Sequence, residues 1–252
     1  MPAPKTWDEV LAAPVIIVSN GTGGDSNTTY KYERTLKRVT DLGFKKTIHI
    51  NSSVDTLDVD WKKLFGDKLI KFNTDDTAFM NTVKYPTKQT GAIGHFNAYK
   101  HIVDNGLDFA LVIEDSVVFH KDWNQLASKY FEVTPPDYAL CYVGHHCGNG
   151  VDAHVLRIPV YSMHAIIVTS EGAQYILDKM LFDSNGVKTL DCMINEAMTK
   201  SLVNQEPGTD NISNDFCNWY AWNAEMFPDN TAAKYPDYAQ KDTGLVFLEK
   251  TT

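Results

Sequence analysis

The sequence predicts one α/β domain with a central mixed, mostly parallel sheet flanked by helices. Residues 14–18 form a short β-branched run that stops at Asn20-Gly21 and Gly23-Gly24. Residues 28–42 then place Tyr32, Leu36, Val39 and Leu42 at helical spacing, so the chain opens as strand, loop, helix. Residues 109–113 are an unbroken apolar run, as expected of a central strand covered on both faces. No repeat and no low-complexity linker interrupts the 252 residues, so a single domain over 1–252 is the simplest partition.

Each element follows from local pattern. Gly43 supplies a left-handed stop to the helix over 28–42. Residues 46–50 and 68–72 read as the second and third strands, with a short helix between them around 57–65. Ile93, Phe96, Tyr99 and Ile102 mark one face of a helix closed by Asn105-Gly106. After the apolar run come a helix near 123–131, strand candidates at 138–143, 154–158 and 163–168, and helices over 171–180 and 190–200. Beyond Leu202 the pattern weakens.

Composition narrows the function classes. A net charge of −9 and only three arginines, Arg34, Arg38 and Arg157, leave no guanidinium-rich face to neutralise a polynucleotide backbone, so no nucleic-acid partner is expected. No apolar run approaches the ~20 residues of a membrane span, and residues 1–14 lack the order of a signal peptide. Cys141, Cys147, Cys192 and Cys217 show no Cys-x-x-Cys spacing and are too sparse for a disulfide framework, which fits a reducing compartment. Asn20, Asn27, Asn51 and Asn211 open glycosylation sequons that matter only in a secretory lumen. A cytoplasmic location is the expectation.

The chemistry-bearing candidates begin with Glu114-Asp115, directly after the apolar strand. Ligands of open α/β sheets gather outside the carboxyl ends of the strands, and a carboxylate there can hold a divalent cation that also takes oxygen from a substrate diphosphate. The alternative is a solvated turn. Asp75-Asp76, before Thr77-Ala78-Phe79-Met80, reads instead as a helix cap. The run Gly21-Thr22-Gly23-Gly24 suggests a phosphate cradle, but Ser26 stands at the third glycine of the dinucleotide pattern. His145, His146 and Cys147, with Cys141, fit no zinc spacing and read as a loop. Neither Gly-x-Ser-x-Gly nor His-Glu-x-x-His occurs. Trp219, Tyr220 and Trp222 form an aromatic cluster on which an acceptor sugar ring can pack, the alternative being core packing.

Three ordered blocks carry a family resemblance. Thr90-Gly91-Ala92-Ile93-Gly94-His95-Phe96-Asn97-Ala98-Tyr99, continuing to Phe109-Ala110-Leu111-Val112-Ile113-Glu114-Asp115, resembles the central block of glycosyltransferase family 25, which includes lipooligosaccharide and collagen galactosyl-type transferases. Upstream, Tyr32-Glu33-Arg34-Thr35-Leu36-Lys37-Arg38 is similar to the family's Arg-rich helix. Downstream, Ala165-Ile166-Ile167-Val168-Thr169-Ser170-Glu171-Gly172-Ala173 with Leu190-Asp191 resembles its Ser-x-x-Gly-Ala segment and following aspartate. The likeness spans roughly residues 15–195. It implies a GT-A fold with a nucleotide-sugar-binding half over about 14–120 and an acceptor-binding half over about 135–252, a UDP-sugar-like donor, Mn²⁺ or Mg²⁺, and inversion at the anomeric carbon. Two departures stand out. Ala98-Tyr99 replaces the family's Ser-His, and Ser116 puts a hydroxyl where the last acid of Glu-Asp-Asp most often touches the metal.

The expected activity is therefore sugar transfer from a nucleotide sugar to a hydroxyl of a glycan or glycoprotein acceptor. Asp115, with Glu114 and Ser116 in support, is expected to position the donor diphosphate directly or through a cation. Asp191 is the candidate base that takes the acceptor proton. Its alternative role is a helix N-terminal acid held by the dipole. Ser19 and Asn20, on the loop after the first strand, together with Arg34 and Gly91, complete the expected donor site. Trp219 and Trp222 are the expected acceptor platform. The rival readings are a non-catalytic glycan- or protein-binding relative, favoured by the missing third acid, and a nucleotidyltransferase.

Overall fold

The computed structural model describes residues 3–19, 26–51, 85–146, 154–179, 190–203, 216–223 and 242–248. Asn20, the glycine-rich run 21–24, the elements expected at 57–65 and 68–72, Asp75-Asp76 and Cys147 lie outside them.

The chain enters through helix α1 (Trp7–Ala12), whose first turn is capped by the Thr6 hydroxyl accepting from the Glu9 N–H. Strand β1 (Val15–Ser19) is buried along its whole length and leads to helix α2 (Ser26–Asp41) and strand β2 (Thr47–Asn51). The left-handed backbone of Gly43, φ 104°, turns the chain out of α2 as the sequence expects. Helix α3 (Tyr85–Asp104) ends at Gly106, φ 60°, and delivers strand β3 (Phe109–Glu114), which turns tightly into β4 (Val117–Phe119). Helix α4 (Trp123–Val133), strands β5 (Leu140–His146), β6 (Val155–Leu156) and β7 (Tyr161–Thr169), and helices α5 (Ser170–Lys179) and α6 (Leu190–Val203) follow. Three short strands close the described chain: β8 (Trp219–Trp222), β9 (Asp242–Gly244) and β10 (Val246–Leu248).

The main sheet runs in the order β2-β1-β3-β7-β5-β8-β6, with β9 also paired to β5. It is mixed, as expected, but not mostly parallel. β1 pairs in parallel with both β2 and β3, and β5 with β8, whereas β3/β7, β5/β7, β5/β9 and β6/β8 are antiparallel. The parallel count fails because β7 enters the centre of the sheet against β3 without a crossover helix that would reverse its direction. A separate two-stranded sheet joins β4 to β10.

Two apolar layers sandwich the sheet. On one face Ile16, Val18, Val112, Tyr142 and Ile166 pack with Phe96, Tyr99 and Ile102 of α3, Ile176 of α5 and Ile194 of α6. On the other, Val15, Ile17, Leu111, Ile113 and Ile167 pack with Val10 of α1, Val39 of α2 and Trp123 and Tyr130 of α4. The alternation of neighbouring residues between the two layers is the pleat, and both layers are apolar because helices cover both faces. Among the described residues no helix is long and apolar enough to cross a membrane.

Candidate active site at the carboxyl edge of the sheet

Parallel β1 and β3 bring Ser19 and Glu114 to the same edge, with Val18 in register with Glu114 and the Asp115 N–H donating to the Val18 carbonyl at 3.0 Å. The pleat then separates the acid pair. Glu114 continues the row of Val112 and faces α3, where its Oε1 lies 3.5 Å from His95 Nε2. Asp115 turns to the α2 side, where its carboxylate is hydrogen-bonded by the Ser19 hydroxyl. The Thr35 hydroxyl donates to the Asp115 carbonyl at 2.8 Å, and Arg38 Nη1 donates to the Val117 carbonyl at 2.8 Å, so α2 fixes both ends of the acidic turn. Ser116 sits half-buried in that turn.

Burial dominates the electrostatics on the α2 side. Asp115 is only 6% exposed, and desolvation, reinforced by the Glu114 charge, pushes its carboxyl up to about 6, against the opposing influence of Lys31 and the Ser19 hydrogen bond. Ser19, itself fully buried, has its Oγ 2.8 Å from His49 Nε2. The His49 ring stacks on Tyr32 at 3.7 Å between centroids, and partial desolvation lowers its pKa. A continuous polar line thus runs from the partly exposed imidazole of His49 through Ser19 to Asp115.

On the α3 face a second polar group gathers. His95 and Tyr99, one helical turn apart, place Nδ1 and the phenol oxygen 3.5 Å apart, with the other imidazole nitrogen toward Glu114. The buried Tyr99 hydroxyl is pushed up by desolvation first and then by the Glu114 and Cys217 charges; Tyr142 of β5 is raised in the same way by burial, then by Tyr99, Cys217 and Asp191. Asp191 lies half-buried in the first turn of α6, and its charge is the last of the influences that raise Tyr142. His95 thus stands between Glu114 and Tyr99 on the α3 face.

Other expected residues fall differently. Arg34 carries its guanidinium 4.7 Å over the exposed Tyr30 ring, and Gly91 is half-buried within α3. Trp219 and Trp222 are a correction to the sequence reading. Both are fully buried, Trp219 Nε1 donates to the Ile158 carbonyl at 2.9 Å, and Trp222 Nε1 donates to Thr134 Oγ1 at 3.1 Å. Trp222 stacks on Tyr130 at 4.9 Å, so these indoles are core and present no face to a sugar ring. His145 and His146 lie in β5 and not in a loop, the former with its Nε2 2.9 Å from the Trp222 carbonyl.

Sequence reading missed Lys31 and Tyr32 of α2 and His49 of β2 as neighbours of Ser19 and Asp115, because neither a helical stripe nor a short strand tells which residues pairing brings to the edge. His95 and Tyr99 had a signal in their one-turn spacing directly before the acidic strand.

No protein-family model matches the chain, and no curated protein matches it in sequence. In structure it is similar to a solved protein described as a glycosyltransferase involved in the glycosylation of the major capsid of PBCV-1. The match covers 95% of this chain and 96% of that one, at 8% identity and a TM-score of 0.45. Fold and site together define an α/β protein with a two-faced carboxylate site at the carboxyl edge of its sheet.

Proposed function

We propose that this chain is a glycosyltransferase that moves a sugar, in the first instance from a UDP-sugar, onto a hydroxyl of a glycan or glycoprotein acceptor. The observation that carries the reading is the placement of Glu114 and Asp115 at the carboxyl end of the central strand, beside Ser19 at the end of β1. The resemblance of the blocks around Gly91, Glu114 and Asp191 to glycosyltransferase family 25 points the same way. In this reading Ser19, Arg34, Gly91 and Ser116 flank the donor. Asp191 accepts the proton of the attacking hydroxyl while the bond from the anomeric carbon to the diphosphate oxygen breaks on the opposite face, which inverts the centre.

The residues present fit a divalent cation. Mg²⁺ or Mn²⁺ bound with a diphosphate needs one or two protein carboxylates, and the partly exposed Glu114 and the adjacent Asp115 supply them, although no cluster of three ligating side chains occurs among the described residues. A carboxylate whose ionisation is opposed by a neighbouring one, as that of Asp115 is by Glu114, is a favourable place for such an ion. When bound, the cation would offset charge developing on the departing nucleotide.

Thermal denaturation with UDP, GDP, CMP and their sugars, with and without Mn²⁺, tests the reading. A ligand that binds only the native state raises the midpoint by mass action. One nucleotide family is expected to stabilise the wild type in the presence of metal, with the shift abolished in Asp115→Ala. Absence of any shift at saturating ligand removes the reading. A second reading, a non-catalytic relative that binds a glycan or protein, is favoured by Ser116 in place of the third acid; nucleotide or glycan binding without turnover would identify it.

A further inference from the structure

His95 stands in a stretch of α3 that is buried on almost every side: between Ala92 and Tyr99 only Asn97 is not fully buried. A histidine there, 3% exposed, brings two ring nitrogens out of water, and each needs a partner. Nδ1 has one in the Tyr99 hydroxyl, one helical turn on, at 3.5 Å. Burial raises the Tyr99 pKa, so the phenol keeps its proton and donates it to Nδ1, which leaves the ring hydrogen on Nε2. That second nitrogen is buried and makes no hydrogen bond among the described residues, and the group it faces is the Glu114 carboxylate at the end of β3, with Oε1 at 3.5 Å.

Glu114 is the solvent end of this line. Its side chain is 21% exposed at the carboxyl edge of the sheet, where an ion meets it without entering the core. The gap to Nε2 is about 0.5 Å longer than an ordinary N–H···O bond, and catalytic hydrogen bonds that are long in the empty protein tighten when the ligand arrives. Carboxylates that ligate a metal are themselves held by hydrogen bonds from the layer behind them, and those partners set both orientation and affinity. We propose that His95 is a positioning residue, its Nε2–H holding the Glu114 carboxylate in the orientation that meets the cation and diphosphate of the donor. The inference rests on the nucleotide-sugar reading and supplies the group that aims one of its two acids. Tyr99 acts one step further back, by fixing which nitrogen of His95 carries the hydrogen.

The test follows Mn²⁺ binding in the presence of UDP through the paramagnetic resonance signal of the free ion, in wild type, His95→Leu, His95→Gln and Tyr99→Phe, alongside thermal midpoints of the free proteins. His95→Leu fills the space without a donor and should weaken Mn²⁺ binding about 10-fold to 100-fold. His95→Gln returns an N–H donor and should recover most of that loss, whatever its thermal midpoint. Tyr99→Phe should weaken binding in the same direction, by less. Binding of Mn²⁺ by His95→Leu as tight as that of the wild type overturns the inference and leaves the transferase reading intact. Equal losses in His95→Leu and His95→Gln, tracking lowered midpoints, also overturn it, since the packing of the ring and not its hydrogen bond would then be the cause. Should His95→Leu not fold, Tyr99→Phe carries the test: weakened Mn²⁺ binding supports the inference and unchanged binding overturns it. Failure of the wild type to bind Mn²⁺ with UDP removes the cation from the UDP-sugar reading and the inference with it.

Discussion

Asp115 holds its carboxyl in a buried turn where desolvation and the Glu114 charge outweigh Lys31 and Ser19, and this has a measurable pH signature in the metal-free protein. Its folded pKa, about 6, lies above the unfolded value of 3.8, so the native state binds more protons between the two. The contribution is fully present below the unfolded value and is lost as pH rises through about 6, a change on the order of 3 kcal/mol. Asp115→Asn should therefore gain stability relative to wild type as pH is raised from 4 to 8. Paired urea denaturation curves whose difference stays flat over that range would exclude it. Gly144 makes the opposite kind of prediction. A Cβ there would lie 2.6 Å from the Val246 carbonyl oxygen and 2.7 Å from His164 Nε2, both held by the fold. Gly144→Ala should cost about 1–3 kcal/mol in chemical denaturation. At this scale the site was half legible. Glu114, Asp115 and Ser19 follow from the rule that ligands gather at strand ends, but no local pattern tells that the pleat sends one acid to α3 and its neighbour to α2.

The strands and helices that could be read were those with a strong local period. β1, β3 and α2 were found within about two residues of their bounds because a β-branched run, an apolar run and a helical stripe are each visible without knowing their partners. Strands β8, β9 and β10 were missed because each is only three or four residues long and exists through its partner: β8 beside Leu140–Tyr142, β9 beside Gly144–His146, and β10 against β4. The same blindness misassigned the tryptophans. A Trp-x-x-Trp run looks like a binding surface until pairing with β5 carries it inward, where Trp222 meets Tyr130, Phe131 and Trp123. Trp222→Ala should accordingly lower stability by about 3–5 kcal/mol, a core loss that nucleotide binding would only partly offset. A variant with unchanged stability and a selective loss of acceptor binding would restore the surface role.

At the scale of the whole molecule, βα alternation gave the α/β class, and the direction of the central pairings lay beyond it. Whether β7 meets β3 parallel or antiparallel depends on how residues far along the chain return to the sheet, which no window of sequence contains. The β1–β3 pairing also has a consequence in time. Val15 lies beside Leu111, with α2, β2 and α3 all intervening in the chain, and β7 must then add to β3. Pairing across so long a loop is slow, whereas a helix such as α3 can form from neighbours alone. Ser19, Glu114 and Asp115 meet only once β1 and β3 have joined, so on dilution from denaturant the far-ultraviolet helical signal should recover before the ability to bind a nucleotide. The site would then be among the last features of the protein to come into existence each time it folds.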